Sequence, residues 1–171
     1  ALANNLTRGL IPGPFMNLVP LDPGKDPYKQ SSRDAFLSYC RPYSRFPEYL
    51  LLGRCIPPAD IACDDVETWY YHRKLAPDEA RDADKREEAK TKLMLAAVTA
   101  GAFEAANGSE AHVVVNATPD ARKATVALPG GAEAVVFSPE RKELSRVAAS
   151  KGTRQVVVEL EPFGVRVVVI P

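Results

Sequence analysis

From residue 92 onward the chain is written in short apolar runs punctuated by turn residues. Lys123 to Leu128, Ala132 to Phe137, Leu144 to Ala149, Gln155 to Leu160 and Val165 to Ile170 are separated by Gly130-Gly131, Ser138-Pro139, Lys151-Gly152 and Pro162-Phe163-Gly164. Runs spaced about 8 to 12 residues apart are too short for independent helices and match the strands of an antiparallel sandwich or barrel. Ala124, Val126 and Leu128 alternate with other residues and so predict one buried face. The last two runs are nearly continuous in valine, which predicts central strands or strands packed against another domain.

Residues 92 to 106 are ambiguous, because Leu93, Met94, Ala96, Ala97 and Ala100 suit a helix as well as a strand. Asn107-Gly108 decides for strand: that dipeptide between two apolar runs, the second being Ala111 to Val115, is the strongest short-range hairpin signal. Upstream, Asp65 to Arg73 carries Val66, Thr68, Trp69, Tyr70 and Tyr71 and reads as a strand. Between them, Pro77 to Lys92 is almost all charge and alanine, with Asp82/Arg86 and Glu88/Lys92 at i,i+4 spacing, and reads as a solvated helix or a mobile insertion.

The first 56 residues are different in kind. Ala1 to Arg8 reads as a helix stopped by Gly9, so the chain looks like the C-terminal portion of something larger. Eight Gly and Pro residues between 9 and 30 forbid a helix or long central strand there and leave an ordered loop, with room for a short strand near Leu10 and Ile11. Ser31 to Tyr43 opens with serine caps and Asp34, and spaces Phe36, Cys40 and Tyr43 along one helical face. Pro42 and Pro47 are expected to end that helix and start another, Pro47 to Leu52, with Gly53 in the C′ position and Pro57-Pro58 as the domain boundary.

Twenty-two basic and twenty-two acidic residues cancel, so bulk charge offers nothing to a phosphate backbone or an anionic membrane. No apolar run approaches the roughly 20 residues of a membrane span, and no secretion signal opens the sequence, which predicts a soluble chain compatible with the bacterial cytoplasm, periplasm or secretion alike. Cys40, Cys55 and Cys63 lack zinc spacing and read as buried free thiols. Sequons at Asn5, Asn107 and Asn116 matter only in a eukaryotic secretory pathway.

Candidate chemistry is sparse. There is no nucleophile elbow, P-loop or dinucleotide fingerprint. His112, beside apolar strand positions, reads as a half-exposed structural imidazole, and His72 has no nucleophile beside it. Asp64, Asp65 and Glu67 form the one carboxylate cluster outside the charged stretch; paired carboxylates serve glycoside hydrolysis, but at a strand end they equally make a solvated edge. Trp69, Tyr70 and Tyr71 suit stacking on a sugar or packing in a seam.

Taken in order, Leu6-Thr7-Arg8-Gly9, the turn ending in Pro14-Phe15-Met16-Asn17, a helix with an arginine near its end, and Phe46-Pro47-Glu48-Tyr49-Leu50-Leu51-Leu52-Gly53-Arg54 running into Pro57-Pro58 resemble the end of a glycosidase (β/α)₈ barrel of the α-amylase or α-galactosidase type. Gly101-Ala102-Phe103, Val113-Val114-Val115-Asn116 and Leu160-Glu161-Pro162-Phe163-Gly164-Val165 resemble the β-sandwich appended to such barrels, as in uncharacterised bacterial glycosidase-like proteins. The resemblance implies a mostly β fold in which residues 1–56 are the terminal segment of a TIM barrel and 57–171 an antiparallel sandwich. The charged insertion at about 75–92 departs from the family pattern. It further implies that Arg8, Phe15 and Asn17 bind substrate, since loops at the C-terminal ends of barrel strands form the active site. The acid and nucleophile would lie on absent strands, supplied by another polypeptide that completes the barrel around a carbohydrate substrate, with no cofactor. A non-catalytic carbohydrate-binding or protein-interaction sandwich is the alternative, and a purely structural domain a third.

Overall fold

In the computed structural model, residues 37–71, 81–128, 133–148, 152 and 154–171 are described. They form a mostly β protein with antiparallel sheets of six, three and two strands and a few short helices. The chain divides into a small unit, Asp64–Ala97, and a larger unit whose described residues are 37–63 and 98 onward. None of the described helices is long and apolar enough to cross a membrane. The predicted helix at 1–8 and the loop at 9–30 lie outside the described residues.

In the larger unit, helix α1 (described over residues 37–45) and α2 (Pro47–Leu50) lead into strands β1 (Arg54–Ile56) and β2 (Asp60–Ala62). Strands β5 (Val98–Glu104), β6 (Glu110–Asn116), β7 (Arg122–Leu128), β8 (Ala134–Phe137), β9 (Glu143–Val147), β10 (Arg154–Leu160) and β11 (Val165–Ile170) follow. The six-stranded sheet runs β1-β5-β6-β11-β8-β9 and the three-stranded sheet β10-β7-β2.

The β5–β6 hairpin forms at Asn107-Gly108. Gly108 takes φ 81°, its N–H donates to the Ala105 carbonyl, and Ala105 N–H donates to the Ser109 carbonyl. Only a residue without a Cβ adopts that φ at no steric cost.

Pleating divides the six-stranded sheet into two faces. Phe103, Ala111, Val113, Val115, Val165 and Val167 share one face, and all are buried in a single cluster with Tyr39, Tyr43, Phe46, Tyr49 and Leu50 of the two helices. Ala102, His112, Val114 and Val168 share the other face and are also buried. β2 approaches β5 and β10 approaches β11. The three-stranded sheet buries Ala124, Val126, Leu128, Val156, Val158 and Leu160 on its inward side. Each fully buried valine contributes roughly 1.5–3 kcal/mol of transfer free energy before chain entropy is set against it. β11, flanked by β6 and β8, is central, as its valine run predicts. β10 is not: it is an edge strand that alternates buried valines with exposed Gln155, Val157 and Glu159.

Local expectations are corrected at five places. Pro42 does not end α1, which continues to residue 45: a proline cannot donate, but its carbonyl remains an acceptor and takes the Phe46 N–H at 2.8 Å. α2 is four residues long, its turn closed by Leu51 and Leu52 N–H on the Pro47 carbonyl. Gly53 is required by proximity, since a Cβ there would stand 2.4 Å from the Tyr49 carbonyl oxygen and 2.8 Å from that of Glu104. The three cysteines are free but none is fully buried, and His112 is buried, not half-exposed.

Tyr49 Oη lies 2.9 Å from Ser109 Oγ, and Ser109 Oγ donates to Asn107 Oδ1 at 2.6 Å, so the tyrosine is the donor that ties α2 to the hairpin. Tyr49→Phe is expected to lower stability by about 1 kcal/mol. The check is a shifted urea midpoint at unchanged m-value.

In the small unit, β3 (Asp65–Tyr71) pairs antiparallel with β4 (Lys90–Ala96), which settles residues 90–96 as strand. Helix α3 (Ala83–Glu88) is capped by the Asp82 carboxylate, which accepts from Asp84 and Lys85 N–H, and buries none of its residues. The expectation of a solvated helix in this charged stretch is met over those residues. Leu93, Met94 and Leu95 stay exposed.

Candidate functional site

Arg8, Phe15 and Asn17, together with His72, lie outside the described residues. Of the aromatic trio, the backbone of Trp69, Tyr70 and Tyr71 runs in β3. Asp64, Asp65 and Glu67 are exposed, and Glu67 pairs with Lys92 on the neighbouring strand at 2.8 Å, an arrangement that stabilises a ribbon edge. Among the described residues, no group of three or more His, Cys, Asp or Glu could hold a metal ion. Burial pushes the Cys40 thiol above its ordinary value, the opposite of what a thiolate nucleophile needs.

Among the described residues, an open cleft on the larger unit is centred on Arg166. One lobe, ≈ 280 Å³, is bounded by Ser38 and Arg41 of α1, Glu140 of the β8–β9 turn, and Glu161 and Arg166. A second lobe of ≈ 270 Å³ continues past the same arginine to Leu144, Val157 and Glu159. Leu144 belongs to β9 and Val157 to β10, so this lobe sits where the edge strands of the two sheets come together.

Its charges are almost wholly paired. Arg166, the one charged residue in an otherwise apolar central strand, donates Nη1 to its own neighbour's carbonyl, Val165, at 2.9 Å and Nη2 to Glu161 Oε1 at 2.6 Å. That guanidinium bond is the main reason the Glu161 carboxyl is held below its ordinary value, burial acting in the opposite sense. Burial alone would raise Glu140, but its own backbone amide, the Ser138 hydroxyl and Arg41, 3.0 Å away, together hold it down. Two carboxylates kept ionised are poor general acids, so the cleft suits hydrogen bonding to a polar ligand better than proton transfer. Glu159, at the far lobe, is exposed.

The turn beside the cleft clasps the helices. Arg141 holds φ 68°, uncommon for a residue with a Cβ. It donates Nη1 to the Arg45 carbonyl at 2.8 Å, pairs Nη2 with Glu48 at 2.6 Å, and lies 5.1 Å from the centroid of the Phe46 ring.

A buried polar corner is built around Asn116. Asn116 is 0% exposed, and its amide donates to the Asp120 and Glu161 carbonyls at 2.7 and 2.8 Å. Its Oδ1 accepts from Thr118 N–H at 3.0 Å and Thr118 Oγ1 at 2.8 Å. All of its bonding capacity is used within the chain, so this sequon is a structural corner and not an accessible acceptor.

Residue types hinted at part of this. An arginine amid valines five positions after Glu161 signals an inward-turned ion pair across the Pro-Phe-Gly turn. Nothing local signalled Arg41 with Glu140 or Arg141 with Glu48, whose partners are remote in sequence. Searches against protein-family models, curated proteins and solved structures find no match.

Proposed function

We propose that this chain is the C-terminal part of a glycoside hydrolase of the α-amylase or α-galactosidase type, in which an antiparallel β-sandwich braces a catalytic (β/α)₈ barrel. In this reading α1 and α2 belong to the end of the barrel, Arg8, Phe15 and Asn17 line the edge of its sugar cleft, and the acid and nucleophile are supplied by a partner polypeptide that completes it. The supporting observation is the seam through which Tyr39, Tyr43, Phe46, Tyr49 and Leu50 are buried against the β5, β6 and β11 residues on one face of the six-stranded sheet. A brace needs such a junction, because only a large, close-packed contact transmits position from one layer to the next.

The test compares the 171-residue chain with the native preparation that contains it, using 4-nitrophenyl α-glucoside and α-galactoside as probes. Turnover by the native preparation and none by the isolated chain is expected. Turnover of neither substrate by the native preparation, or turnover by the isolated chain, overturns the reading. The alternative, a non-catalytic binding module, draws on the polar Arg166 cleft; it requires saturable calorimetric binding of malto-oligosaccharides or of a protein partner by the isolated chain, weakened by Glu159→Ala.

A further inference from the structure

The two sheets of the larger unit are joined at the Pro57-Pro58-Ala59 crossing by a hydrogen bond to a buried histidine. His112 is 3% exposed, and its Nδ1 accepts from Ala59 N–H at 3.3 Å. A ring nitrogen that accepts carries no proton, so the neutral ring carries its proton on Nε2. Nε2 stands 3.5 Å from Glu110 Oε2, an ion-pair distance for a charged ring, yet it forms no hydrogen bond and is sealed from solvent.

We infer that His112 is a proton-operated latch: a proton taken from solvent at Nδ1 removes the acceptor that holds Ala59, and in acid the crossing and β2 loosen from the six-stranded sheet. Once Nδ1–H is formed it faces the Ala59 N–H, donor against donor, while the new positive charge is drawn to Glu110. The ligated state therefore exists only with the neutral ring.

Among the described residues, Glu110 is the charge that bears on the ring. On the same sheet face, Glu104 of β5 is engaged by Arg54 of β1, and Arg166 of β11 by Glu161. Ala102 and Val168, directly across from His112, are apolar. From the three-stranded sheet, Asp60 of β2 is exposed, Arg122 of β7 is held by Thr118 and Asp120, and Val126, Val156 and Val158 are uncharged. Burial lowers the affinity of His112 for a proton below the ordinary value, with Glu110 opposing it. A folded value below the unfolded one means that the latch's contribution to stability is whole above about pH 6.5 and is lost as pH falls through the folded value.

Hydrogen exchange between pH 7.5 and 5, normalised for intrinsic amide rates, tests this on the whole chain. Protection of the Ala59 amide is expected to fall on the order of tenfold, with β6 and β11 amides unchanged. In His112→Gln the side-chain oxygen accepts from Ala59 without titrating, and protection there is expected to stay flat. An equal acid loss in His112→Gln, or constant Ala59 protection in the native sequence, overturns the inference. Should the variant fail to fold, the His112 ring and Ala59 amide resonances of the native chain must titrate with one shared midpoint; separate midpoints overturn it equally.

Discussion

Asn116→Asp is expected to unfold the larger unit at neutral pH. The substitution preserves size but replaces the amide nitrogen, which donates to the Asp120 and Glu161 carbonyls, by an oxygen held 2.7–2.8 Å from two acceptors. A carboxylate in that place has lost two donors, meets two carbonyl dipoles of the wrong sign, and is 0% exposed. Burying an unpaired charge in such a setting costs more than about 4 kcal/mol, against a total of roughly 5–15 kcal/mol for an ordinary domain. Protonation relieves part of it, since the neutral acid donates one bond. The folded value for this aspartate is therefore raised, the deficit relative to the native sequence is at its smallest below the unfolded value near pH 3.9, and it grows as pH rises through it. Thermal melts of both proteins at pH 7 and pH 4 check this: equal midpoints at pH 7 contradict it.

Phe46→Ala is expected to lower stability by about 3–5 kcal/mol. Phe46 is fully buried, meets Phe137 edge-on at 5.8 Å and 64°, and carries the Arg141 guanidinium over its face. Its carbonyl also accepts from Tyr49 and Leu50 N–H, so it stands at the start of α2 as well as in the core. Removing the ring leaves a void that the helices and sheet close only in part, and withdraws the aromatic pair and the cation–π contact, each about 0.5–1.5 kcal/mol. Phe46→Leu, which refills much of the volume, is expected to recover over half of the loss. Urea denaturation of both, combined with Phe137→Ala in a double-mutant cycle, gives the coupling; an additive cycle contradicts a direct ring–ring term.

The readable parts of the fold are those in which sequence and contact are close together. Asn107-Gly108 announced its hairpin because φ 81° at Gly108 is a local demand. The alternation of Ala124, Val126 and Leu128 named the inward face of β7 because pleating is local too. What could not be read depends on neighbours far along the chain. Gln155 to Leu160 and Val165 to Ile170 look alike as strings, yet β11 has a partner on both sides while β10 pairs with β7 alone. His112 looked half-exposed because nothing beside it tells that Ala59, 53 positions earlier, donates its N–H to the ring. The Arg166–Glu161 pair was legible in principle from an arginine set among valines, whereas the grip of Arg141 on Arg45 and Glu48 was not. Arg8, Phe15 and Asn17 rest on resemblance.

The position of β11 has a consequence for how the molecule is made. Last in sequence order, it lies between β6 and β8 and pairs with both. On a ribosome, β6 and β8 therefore appear early and must wait, their inner edges open, until residues 165–170 clear the exit tunnel. Ribosome-bound nascent chains arrested before residue 165 should accordingly be protease-sensitive and recruit chaperones, and emergence of that single strand should close the sheet in one cooperative step.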